Sequence, residues 1–136
     1  MTIPNPLKCI IYWLMLIVMM VLHFNYHVGD IFYDISVVRP NANGVVPIAT
    51  HGIRNIFYHL PMVWIVMLLV SDAKALRLAL FVVSVVYTLA HAMHFFKELA
   101  TPDFSQIPLL ALALFVSILL NYEHFRYWRG KHQASE

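Results

Sequence analysis

Four apolar runs, each close to the length needed to cross a membrane, constrain this chain more than any other feature. They cover residues 7–28, 53–70, 75–99 and 107–122. A spanning helix needs about 20 mostly apolar residues. Lipid offers no water to backbone N–H and C=O groups, so runs of this length must bond internally as helices. The expected fold is an all-α membrane protein, with four transmembrane helices in an antiparallel bundle forming one domain over 1–136. The turn Ser71–Lys74 and the link Ala100–Gln106 are short, which makes the helices they join antiparallel neighbours. The composition agrees. The chain is 61% hydrophobic and 12% charged, whereas soluble domains carry about 25% charged residues.

Lysine and arginine set the orientation. Lys8, Lys74, Arg77, Arg126, Arg129 and Lys131 fall on one side; Arg39, Arg54 and Lys97 fall on the other. This asymmetry predicts both termini in the cytoplasm and the long loop 29–52 outside, as in a prokaryotic inner membrane. Tyr12, Trp13, Tyr122, Tyr127 and Trp128 then form an inner aromatic belt. The first run has no charged stretch before it and no small-residue cleavage site after it, so it reads as a retained helix. The outer loop contains Arg39-Pro40-Asn41-Ala42-Asn43-Gly44 and Pro47, which is turn chemistry. Its first part, Asp30–Ile35, is amphipathic and suits a continuation of the first helix. The tail after Arg129 is expected to fray.

Against this apolar background, six of the eight histidines fall at about one depth on the outer side: His23, His27, His51, His59, His91 and His94. Ionisable groups inside membrane spans are costly and mark functional sites by default. His23, His27, Asp30 and Asp34 share one helix face at spacings of 4, 3 and 4. His51, Asn55 and His59 share another, and His91, His94 and Glu98 a third. At 1.5 Å per residue, His23 and His91 each lie about 10 Å inside their helix ends and His59 about 9 Å. Three polar stripes facing lipid are prohibitive, so they are expected to face one another or a water-filled cavity open to the outside.

Histidine with carboxylate is the ligand set of iron, copper or zinc. In helix bundles such sites are built from inward side chains at i, i+3 or i+4. The expected metal ligands are His23, His27, His59, His91 and His94, with Asp30, Asp34 and Glu98 completing or orienting the site. Such a centre could serve as a redox or metalloenzyme site, activating water or dioxygen against a membrane-soluble substrate. The alternative cofactor is haem b, held by His59 and His91 in an electron-transfer or haem-handling subunit. A third reading is a non-catalytic accessory subunit. The partners expected are the lipid bilayer and either other membrane subunits or further copies of the chain. A net charge of +2, carried mostly at helix ends, does not suggest nucleic acid.

The stretch Arg54–Trp64, RNIFYHLPMVW, resembles the haem-ligand helix of the cytochrome c assembly family that handles haem at the outer face. That resemblance implies His59 as a haem ligand and covers 11 residues. The spacings His23-x-x-x-His27 and His91-x-x-His94 are similar to those of membrane di-iron hydroxylases and desaturases, which implies a dinuclear site.

The remaining polar features have simpler readings. Pro61 frees the carbonyl of Phe57 and is expected to bend the helix beside His59. Asn121, Glu123 and His124 read as an interfacial helix end, and Asp72, Lys74 and Arg77 as a solvated turn. Ser84 and Ser117 read as backbone or interhelix hydrogen-bonding groups. Met15, Met19 and Met20 read as apolar filler. The single Cys9 precludes an internal disulfide and any cysteine-rich metal site.

Overall fold

The computed structural model describes residues 3–39, 41–100 and 104–130. Lys131, the tail beyond it and Pro40 lie outside the described residues. The elements run as α1 (Asn5–Gly29), a 3-10 turn (Asp30–Tyr33), α2 (Ile48–Arg54), a π-helical turn (Asn55–His59), α3 (Leu60–Val70), α4 (Lys74–Leu99) and α5 (Ile107–Arg129). Among the described residues there is no strand. Four stretches are long and apolar enough to cross a membrane: Asn5–Tyr33, Ile48–Val70, Lys74–Leu99 and Ile107–Arg129. They match the four apolar runs, with the second starting five residues earlier and the fourth ending seven residues later than hydrophobicity alone indicates.

Helix ends follow their local chemistry. Prolines occupy the first turns of α1 and α5, where the missing N–H has no intrahelical acceptor in any case. The first span does continue past Gly29, through the tighter 3-10 turn. It stops at Asp34, which sits in the left-handed region with φ 60° and donates its N–H to Asp30 and Ile31 carbonyls. Aspartate tolerates that conformation better than a branched residue does.

Within lipid, helices do not associate by hydrophobic burial; small residues and interhelical hydrogen bonds do the work. Helix α5 packs along both α1 and α4, and α1 also touches α3 and the π turn. The fully buried contact positions include Cys9, Ser84, Ser117 and Ala113, whose short side chains let backbones approach. The α4–α5 contacts climb one helix as they descend the other. Phe81 meets Phe125, Ser84 donates to Asn121, and Thr88 donates to the Ser117 carbonyl. Asn121 closes the group by donating to Thr88 Oγ1 at 2.8 Å. The single Ser84 hydroxyl proton is shared between Asn121 and the Phe81 carbonyl, and Ser117 donates to the Leu114 carbonyl, as expected of serines in apolar helices.

The second span lies to the side of this core, with 11% of its apolar window buried against 39% for the first and fourth. Its irregular centre has a clear cause. Pro61 cannot donate to the Phe57 carbonyl. The chain answers with a π turn immediately before the proline, in which Leu60 N–H reaches back five residues to the Asn55 carbonyl. Such bulges are a known response to an interrupted helical ladder.

Candidate functional site

Helix α1 carries His23 and His27 on one face, and α4 carries His91 and His94 on one face. The bundle brings these two stripes together. His23 Nε2 and His94 Nε2 are 2.9 Å apart, with ring centroids 4.8 Å apart and the rings nearly perpendicular. His27 stacks edge-on against His23 at 4.8 Å. His23 is buried, His94 half-buried and His27 exposed, so the group is a polar wedge opening toward one end of the bundle. His91 lies deeper, 3% exposed, against the Phe57 ring at 5.7 Å. Its Nε2 has no hydrogen-bond partner.

Gln106 is the residue that sequence reasoning missed here. It precedes α5, is 5% exposed, and its amide nitrogen lies 3.3 Å from His27 Nδ1. It also stands beside His23, yet neither Gln106 Oε1 nor His23 Nδ1 has a hydrogen-bond partner. The signal available was its place as the last polar residue before an apolar helix whose second residue is Pro108.

The stripe on the second span behaves differently. Tyr58 donates to the Met20 carbonyl at 3.3 Å, Tyr87 donates to the Ile56 carbonyl, and Phe57 packs on both Tyr87 and His91. These aromatic contacts take up the inward side of the π turn. His51, Asn55 and His59 are left exposed, and His59 Nδ1 bonds Asn55 Oδ1 at 2.7 Å. Two polar stripes therefore meet, and the third faces outward. Of the carboxylates, Asp30 and Glu98 are half-buried and Asp34 is exposed. Among the described residues, no three His, Cys, Asp or Glu side chains converge as a ready-made cage for a metal ion.

A second polar group lies at the opposite end of the bundle, where sequence suggested an interfacial helix end and a solvated turn. His124 is fully buried and accepts a hydrogen bond from Trp13 Nε1 at 3.1 Å. Glu123 is 6% exposed and lies between Lys8 at 3.5 Å and Arg126 at 3.4 Å. Arg77, read as part of a solvated turn, is also buried. It donates to the Tyr127 carbonyl and lies over the Tyr127 ring. The cause is periodicity: Leu110, Ala113, Val116, Ser117, Leu120, Glu123 and His124 recur every three or four residues, so the polar pair continues the buried face. A pocket of about 390 Å³ lies at this same end, lined by Pro6, Leu68–Asp72 and Tyr127.

No protein-family model matches the chain, and no curated protein and no solved structure is detectably similar to it. The likenesses to haem-handling and di-iron families thus stay confined to their short stretches.

Proposed function

We propose that this chain is an integral membrane protein that binds a transition-metal ion, iron, copper or zinc, at the His23–His94 pair. His91 and His27 are the nearest candidates to complete the coordination, with Gln106 orienting the rings. The observation that supports the reading is the approach of two Nε2 atoms from different helices. Metal–nitrogen bonds of about 2.0–2.1 Å at a tetrahedral angle put two ligand nitrogens roughly 3.3 Å apart. The pair at 2.9 Å needs to open by only a few tenths of an ångström to accept an ion. Two axial ligands of a haem need roughly 4 Å between their nitrogens, with the macrocycle between them. His23 and His94, in edge contact, have no room for it, so a bare ion suits this pair better than haem b.

In this reading the helices form an antiparallel bundle in an inner membrane, with both termini cytoplasmic and the histidine wedge toward the outer face. Lys8 meeting Glu123 supports placing both termini at one end. The lysine and arginine asymmetry supports calling that end cytoplasmic. Asp30, Asp34 and Glu98 lie toward the mouth of the wedge, where they attract cations.

The test is metal analysis of the protein purified in mild detergent without chelator, beside the His23→Ala and His94→Ala variants. Near-stoichiometric metal in the wild type, lost in both variants, is expected. Metal retained by both variants, or a metal-free wild type that takes up no iron, copper or zinc on titration, would leave the histidines as a hydrogen-bonded packing pair.

A further inference from the structure

The second span carries an exposed hydrogen-bonding pair near the middle of the bundle. Its depth follows from its neighbours: Tyr58 reaches Met20, well inside α1 (Asn5–Gly29), and Ile56 accepts from Tyr87, halfway along α4 (Lys74–Leu99). Asn55 and His59 flank these contacts yet are exposed. An imidazole and an amide facing lipid at this depth are unfavourable, and the remedy available to membrane helices is a hydrogen bond across a helix interface.

The pair also limits what covers it. Asn55 Oδ1 and His59 Nδ1 are 2.7 Å apart; with Nδ1 as the donor, Nε2 is left as an acceptor. The Asn55 amide N–H groups remain as donors. The Asn55–His59 pair thus presents one kind of donor and one acceptor, four residues apart. That pattern complements itself. A two-fold axis along the membrane normal places like residues of two copies at one depth, as an isologous interface requires. Each Asn55 amide then meets the other copy's His59 Nε2 across the axial offset that the intrahelical bond already spans. Gly52, one turn away, leaves open space where a Cβ would stand, which allows close helix approach.

We infer that the second span is a homodimer interface, in which Asn55 and His59 of two copies of this chain hydrogen-bond reciprocally. The inference is independent of the metal reading, because neither residue belongs to the His23–His94 pair.

The experiment is sedimentation equilibrium in density-matched detergent of the wild type and the Asn55→Leu and His59→Leu variants. It is paired with disulfide crosslinking in native membranes of a Met62→Cys variant. Met62 is exposed on the turn following His59, and the native Cys9 is fully buried. A wild-type dimer is expected, with a dissociation constant raised on the order of tenfold or more in each leucine variant, and a crosslinked dimer from Met62→Cys. Leu112→Cys, exposed on α5, is expected to give none. The leucine variants replace lipid-facing polar groups with apolar ones, and a helical spectrum like the wild type's confirms that they fold. A monomeric wild type with no crosslink, dimers unaffected by either variant, or crosslinks to a different protein alone would each overturn the inference.

Discussion

His23 and His94 stand 71 positions apart in the chain and face each other Nε2 to Nε2 at 2.9 Å. One imidazole supplies the proton of that hydrogen bond and the other accepts it. To hold an ion, both rings would have to offer a lone pair at Nε2, the donor ring carrying its proton at Nδ1 instead. Replacing either residue with alanine is therefore expected to abolish metal retention, whereas His51→Ala, exposed on the second span, is expected to leave it unchanged. Metal content by mass spectrometry of the three variants checks this.

Gln106 is expected to act on the same pair without binding the ion. Side chains that orient ligand histidines typically change metal affinity about 10–100-fold when removed. Gln106→Leu is expected to weaken retention by about that factor, measured by competition with a chelator of known affinity, while leaving thermal stability close to the wild type's. An equal loss of stability and affinity would mark Gln106 as a packing residue alone.

At the other end, the Trp13–His124 bond is buried and joins α1 to α5. Trp13→Phe strands the His124 acceptor, and an unpaired buried polar group costs about 1–3 kcal/mol. The melting temperature in detergent is expected to fall accordingly. Replacing both partners by apolar groups removes the stranded atom, so adding His124→Leu to Trp13→Phe is expected to recover part of the loss. A double variant as unstable as the sum of the single ones would mean that the bond contributes nothing beyond packing.

Asn121 bonds Ser84 at 2.6 Å and Thr88 at 2.8 Å, holding α4 against α5. Interhelical hydrogen bonds in membranes contribute about 0.6 kcal/mol on average and up to about 1.7. Asn121→Leu removes two of them and is expected to destabilise by about 1–2 kcal/mol, read from unfolding in a denaturing detergent. No measurable change would place the α4–α5 association in van der Waals packing alone.

How much of this was legible in the sequence differs by level. The four spans were, because length and apolarity alone decide them. That the histidines of α1 and α4 form compact i, i+3 or i+4 stripes was legible too, but not that His23 would meet His94, since the equally compact stripe of His51, Asn55 and His59 faces outward. The outward turn of His59 was not. Sequence marked Pro61 as a disturbance, but which side of the disturbed turn faces inward depends on where Tyr58 and Tyr87 find carbonyls, and periodicity does not carry that. The burial of His124 and Glu123 was partly legible. Their three- and four-residue spacing from Leu120 and Ser117 continues the buried face of α5, but their place near a helix end suggested headgroups instead.

The most direct test of the central claim is elemental analysis with an absorption spectrum on one detergent-purified sample of the wild-type protein. The account predicts near one equivalent of iron, copper or zinc per chain and no Soret band. A Soret band at one haem per chain, or a protein that neither carries nor takes up metal, would contradict it.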